Sequence, residues 1–165
     1  MKRPSGTKPS PALPEPTFFT DRDLGKTVPR ILRENGLLVE RYCDHFHEAN
    51  VTDAEWLTFA AQRGWISLSH DRNIKRDPVA VRTIMERSGR LFIVRGALTA
   101  ADLAGVVLGA LKSIRNIIAR QQNEAFIAIV RRGALQGGAL HPEAHVHLTF
   151  TQWSAGREQA LREDD

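Results

Sequence analysis

The sequence predicts an α/β fold: a three-layer α/β/α sandwich around a mostly parallel central sheet of about five strands. Three observations carry that expectation. Short β-rich runs alternate with segments of helical period. Glycine or Asn-Gly closes several of the helical segments. The length, 165 residues, fits one domain of ordinary size with tails.

Residues 1–16 hold five of the eight prolines and no hydrophobic period, so they read as a disordered or extended lead-in. TFFT, residues 17–20, is the first strand and stops at Asp21. From Lys26 to Glu34, Val28, Ile31 and Leu32 fall at helical spacing, and Asn35-Gly36 is a helix stop. Leu37 to Tyr42 reads as the second strand. Thr52 to Arg63 reads as a helix with Trp56, Phe59 and Ala60 on one face, closed by Gly64. WISLSH, residues 65–70, is a strand ending at Asp71. Pro78 to Arg87 is a short helix opened by a favourable proline and ending at Gly89. LFIVRG, residues 91–96, is the next strand. Thr99 to Gln121 reads as one long helix, capped by Thr99, with Leu103, Val107, Ala110, Leu111, Ile114 and Ile118 on one stripe. FIAIVRR, residues 126–132, is the last strand. Residues 152–165 read as a loose tail or short terminal helix. The expected division is therefore a Pro-rich tail (1–16), a domain (17–131) and a partly flexible C-terminal extension (132–165). Right-handed crossovers are nearly obligatory in such a sheet.

Composition excludes several classes. One cysteine, Cys43, forbids an internal disulfide, so the chain is no disulfide-stapled scaffold. The longest apolar stretch, 97–111, is interrupted by Asp102 and spans no bilayer. The basic N-terminus lacks the apolar run of a signal peptide, so the expected location is the cytoplasm. The formal net charge of +4 suits a polyanionic partner.

Two predicted strands end in aspartate, Asp21 and Asp71. In a parallel sheet both carboxylates sit at one edge, where sites of open α/β sheets lie. The helix opening at Asp53 brings Asp53 and Glu55 to the same edge. Gathered carboxylates repel each other, and a hard divalent cation, Mg²⁺ or Mn²⁺, is the usual remedy. Such a site activates water and clamps a scissile phosphate.

The segments TFFTDRDLGKTVPRILRENGL, VTDAEWLTFAAQRGW and ISLSHDRNIKRDP resemble the PIN-like domains of the VapC toxin type. The resemblance covers roughly residues 17–131. It implies a Mg²⁺- or Mn²⁺-dependent endoribonuclease, held inactive by a cognate antitoxin and commonly dimeric. It makes Asp21 the first-strand metal ligand and Asp71 the ligand after the third strand. Either Asp53 or Glu55 supplies the helix carboxylate. A fourth acid is open between Asp77 and Asp23. Arg22, Arg72, Lys75 and Arg76 would rim the edge and hold RNA phosphates.

Each residue also has a plainer role. Asp21 fits a turn or cap, and Asp71 fits an Asx turn in DRN. Thr52-x-x-Glu55 matches a capping box, Asp53 suits a helix dipole, and Asp77 precedes Pro78 as a cap would. Trp56 and Trp65 read as core. His45 and His47, and His141, His145 and His147, lack a Cys partner for Zn²⁺ and read as solvated imidazoles. Val106, Leu108 and Ile117 add apolar faces to the long helix, for a dimer interface or for burial on two sides within the chain. Two rival functions remain. One is a catalytically inactive PIN-like binding module. The other is a haloacid-dehalogenase-type phosphatase with Asp21 as nucleophile, Asp23 as acid and Ser69 as the second-motif hydroxyl.

Overall fold

The computed structural model describes residues 14–96, 99–136 and 139–163. The lead-in up to residue 13, with Lys2, Arg3 and Lys8, lies outside the described residues. The strands are β1 (Thr17–Thr20), β2 (Leu38–Arg41), β3 (Ile66–Ser69), β4 (Arg90–Val94), β5 (Phe126–Gln136) and β6 (Ala139–Thr149). The helices are α1 (Thr27–Glu34), α2 (Tyr42–His45), α3 (Asp53–Gln62), α4 (Pro78–Glu86), α5 (Ala100–Gly109), α6 (Leu111–Gln121) and α7 (Phe150–Glu163). One sheet runs in the order β2-β1-β3-β4-β5-β6. Its first five strands are parallel, and β6 runs antiparallel to β5.

Strand burial explains why the inner strands are solid apolar runs. Phe18 and Phe19 point to opposite faces of β1 and are 1% and 0% exposed, so helices cover both faces. Each such side chain contributes about 2–3 kcal/mol of hydrophobic stabilisation. Phe18 packs with Val28, Leu32, Leu103, Val107 and Ile114, the inner faces of α1, α5 and α6. Phe19 packs with Tyr42, Trp56, Leu57, Ile84 and Met85, the inner faces of α2, α3 and α4.

Local signals fix the helix ends. At the end of α1, Gly36 takes φ +86°. The N–H of Leu37 then donates to the Leu32 carbonyl (3.1 Å) and that of Gly36 to Arg33 (3.0 Å), a Schellman closure. Thr52 caps α3 in a reciprocal box with Glu55. Asp77 caps α4 ahead of Pro78.

The crossovers are not all of one hand. β1 to β2 steps one way over the α1 face. β2 to β3 and β3 to β4 step the other way over the α3–α4 face, which gives the same hand. β4 to β5 continues in that direction, yet α5 and α6 lie on the α1 face. That connection therefore has the opposite hand, against the expectation of uniform crossovers. Packing accounts for it: α1 alone would leave the β3–β5 half of its face bare, and the apolar α5 and α6 cover that half.

Two further departures from the sequence reading occur. The expected helix over 99–121 is two helices, bent at Ala110 (φ −93°, ψ 2°). Pro142 of β6 sits where a Cβ on Gly109 would be, 2.7 Å away. Ser113 Oγ meanwhile donates to the Ala110 carbonyl (3.1 Å) and accepts from the Ala144 N–H (2.7 Å). β6 thus docks into the bend. β6 itself extends the sheet to residue 149, where no strand was expected. Residues 150–163 form the helix α7, with Trp153 packed beside the α3–α4 cluster. Val106 and Ile117 are buried within the chain, and Leu108 packs against the same core. Among the described residues, no helix is long and apolar enough to cross a membrane.

Candidate functional site

The strand order places a topological switch point at β1 and β3, where the chain leaves β1 on one side and returns on the other. Crevices outside the carboxyl ends of strands at such points bind ligands. Asp21 directly follows β1, and its N–H donates to the Leu68 carbonyl of β3 (2.9 Å). It is 8% exposed. Its Oδ1 accepts from the Arg22 N–H at 2.6 Å. Ser69 Oγ stands 3.0 Å from Asp21 Oδ2 and 3.3 Å from Asp23 Oδ2. Its single proton serves one carboxylate at a time. Asp23 also accepts from the His70 N–H (3.0 Å), and the Asp71 N–H donates to Ser69 Oγ (3.0 Å). The hydroxyl of one buried serine thus joins the Asp21 and Asp23 carboxylates to the backbone of Asp71. His70 Nδ1–H donates to the Val94 carbonyl (2.8 Å), joining the end of β3 to that of β4.

The electrostatics follow from that crowding. Burial and the charge of Asp23 push the Asp21 carboxyl up to about 7, with a smaller contribution from Asp53. Burial raises Asp23 as well, and Asp71 adds to it. Among the described residues, no Lys, Arg or His forms an ion pair with either.

The other anticipated acids are engaged locally. Asp53 accepts from Trp56 Nε1 (3.0 Å) and lies close enough to add its charge to Asp21. Glu55 accepts from the Thr52 N–H (2.6 Å), which holds its exposed carboxyl below the usual range. Asp71 Oδ1 accepts from the Asn73 N–H (2.8 Å), closing an Asx turn. Asp77 accepts from the Val79 N–H (2.9 Å) at the start of α4. Of the anticipated cations, the Arg22 guanidinium lies 5.8 Å from the Tyr42 ring centre, on the rim beside Asp21. Arg72 and Arg76 are exposed, and Lys75 is half-buried. Of the histidines, His45 Nε2 pairs with Glu40 (2.7 Å), and His145 and His147 are exposed along β6. Trp56 is buried.

Sequence reasoning did not single out Ser69 as the bridge. Its signal was present: Ser67 and Ser69 are polar at period two in a wholly buried strand, 3% and 0% exposed. A polar group buried there needs partners, and the acids supply them.

The donor set fits a hard divalent cation at Asp21 and Asp23, two adjacent carboxylates without a neutralising partner among the described residues. Among those residues, no group of three or more His, Cys, Asp or Glu is gathered as a metal cluster. One or two carboxylates completed by water and substrate phosphate is the usual arrangement for Mg²⁺.

Comparison with known proteins agrees with this geometry. Residues 16–96 match the family model described as a PIN like domain. A protein of Mycobacterium tuberculosis, named as a candidate ribonuclease of the VapC type (VapC45), is 35% identical over 102 residues. That alignment covers 59% of this chain and 74% of the relative. No solved structure matches the chain significantly. With its parallel sheet, its acids at the switch point and this likeness, the chain belongs to the PIN-like domain family, in its VapC type.

Proposed function

We propose that the protein is a metal-dependent endoribonuclease, the toxin of a toxin–antitoxin pair, working at the Asp21–Asp23–Ser69 edge. The observation that carries this reading is a carboxylate pair, one member buried, both raised by burial and then by neighbouring acids, without a cation partner among the described residues. The VapC-type relative supports RNA as substrate. Asp21 and Asp23 would hold Mg²⁺ or Mn²⁺, with Asp53 and Asp71 contributing charge or water-mediated contacts. When bound, that ion activates water and stabilises charge on a phosphodiester. The Ser69 hydroxyl and the N–H groups of Arg22 and His70 fix the carboxylate orientations. Arg22 sits where it can take a substrate phosphate. The same reading supplies a cognate antitoxin as inhibitor and the cytoplasm as location.

A second reading, a PIN-like module that binds without cutting, draws on a different observation. Asp53, Glu55 and Asp71 each already accept a hydrogen bond from their own segment.

RNA cleavage by purified protein, with Mg²⁺ or Mn²⁺ and with EDTA, separates the two. Metal-dependent cutting is expected in the wild type and lost in Asp21→Asn, Asp23→Asn and Asp71→Asn. Ser69→Ala, which only loosens the carboxylates, is expected to lose roughly ten- to a hundredfold. Folded wild type that cuts none of several RNAs with either metal would leave the binding module.

A further inference from the structure

Beyond the acidic edge, the sheet carries a second charged surface on its α3–α4 side. β6 pairs with β5 in a register that sets His145 opposite Ile129 and Glu143 opposite Arg131. Ile129 belongs to the α3–α4 cluster, so Arg131, Glu143 and His145 project from that same face. Glu143, His145 and His147 are exposed, whereas Ala144 and Val146 pack against the opposite core. Arg95 follows Ile93 of that face by two positions, and its N–H donates to the Val130 carbonyl (2.8 Å) beside Arg131. Arg95 Nε is buried and has no hydrogen-bond partner among the described residues. Lys75 approaches from the turn before α4, whose Ile74 anchors in the same cluster.

These cations lie close enough to disfavour one another's charge. Burial and then Arg95 and Arg76 pull the Lys75 ammonium below its usual range. Burial, Arg131, Arg95 and Lys75 lower His145, partly countered by Glu143. Burial, Lys75 and Arg95 lower His147. Glu143 reaches Arg131 at 3.8 Å. Lys75, Arg95 and Arg131 therefore outnumber Glu143 here, and among the described residues a buried guanidinium nitrogen lacks its acceptor.

We infer that Lys75, Arg95, Arg131, His145 and His147 form a shelf that binds the phosphate backbone of single-stranded RNA as it leaves the Asp21–Asp23 edge. This inference rests on the ribonuclease reading. The shelf begins where His70 ties β3 to β4 and runs across to β6, about 14 Å at ordinary strand spacing. That is room for a few nucleotides. Phosphate contacts set register and affinity without reading sequence. This cation-rich surface, exposed at Arg131, His145 and His147, favours a uniform polyanion over an acidic peptide, whose carboxylates are irregularly spaced. Arg132, next along β5, points to the other face and pairs with Asp102 (3.7 Å), so it lies off the shelf.

The test is fluorescence-anisotropy binding of a labelled single-stranded RNA to full-length Asp21→Asn protein, across a salt series. Lys75→Glu with Arg131→Glu is added to that background, and Arg132→Glu serves as the off-shelf control. Arg95→Gln is a further variant, with folding of each checked by circular dichroism. The shelf pair is expected to weaken binding roughly tenfold or more on every RNA tested. The salt slope should fall by about 0.7 per charge removed, and Arg132→Glu should change neither. In the cleaving wild-type background the shelf pair should raise KM and leave kcat. Unchanged RNA affinity in the folded shelf variants overturns the shelf, even if cleavage stands. Loss of polyglutamate binding with RNA affinity intact overturns it in favour of an acidic peptide. Shelf-dependent RNA binding by a wild type that cuts no RNA keeps the shelf and sinks the nuclease.

Discussion

Asp21 concentrates the chemistry of the molecule in one carboxyl group. Its ordinary value is 3.8 and its folded value about 7, so the native state keeps a proton that the unfolded chain releases. The stability this proton contributes is fully present below pH 3.8 and is lost as pH rises through about 7. Three units correspond to at most about 4 kcal/mol. Denaturation of metal-free protein should therefore show Asp21→Asn gaining on the wild type as pH rises from about 4 to about 7. A gap that stays constant with pH would refute the assignment. At pH 8, Mg²⁺ or Mn²⁺ should raise the melting temperature of the wild type and not of Asp21→Asn. The positions of the aspartates were legible from strands that stop at an acid. So was the capping box of Glu55, which the sequence offered beside its role as a metal ligand, because Thr52-x-x-Glu55 is a local hydrogen-bond pattern. The Ser69 bridge was not, since it joins residues 48 positions apart.

At the scale of elements, signals within a few residues were read well, and those supplied by partners were not. α1, α3 and α4 begin and end close to where their caps and stops predict. The bend at Ala110 depends on Pro142 and Ala144 from a strand some 30 residues on, and no periodicity in the helix announces it. β6 reads poorly because its exposed face carries Glu143, His145 and His147 where a strand is usually recognised by apolar alternation. The end of α4 yields a finer lesson. Gly89 marks the stop, yet Ser88 takes the left-handed conformation, φ 58°. Gly89 is needed for space: a Cβ there would stand 3.1 Å from the Ile84 Cα, while its N–H donates to the Ile84 carbonyl (2.8 Å). Ser88→Gly is thus expected to stabilise the protein by about 1 kcal/mol, read from urea denaturation. Gly89→Ala should destabilise it.

For the whole molecule, alternation of strands and helices foretold the mostly parallel sheet, and β6 adds its one antiparallel member. The hand of the β4–β5 crossover was beyond the sequence, because it is decided by which face remains to be covered. That crossover begins where the match to the PIN-like model ends, at residue 96. A chain cut there would retain every acid of the candidate site and the full α3–α4 layer. Its other face would keep only α1. Ile66, Leu68, Phe92 and Val94, now 0% exposed, would lose the α5–α6 layer that covers them. Fragment 1–96 is expected to bind a hydrophobic dye and to elute as aggregate in size-exclusion chromatography. A monodisperse, folded fragment would contradict this. The acidic edge, though assembled from the first half of the chain, is in this sense on loan from the second: the minimal chemical unit is smaller than the minimal soluble one.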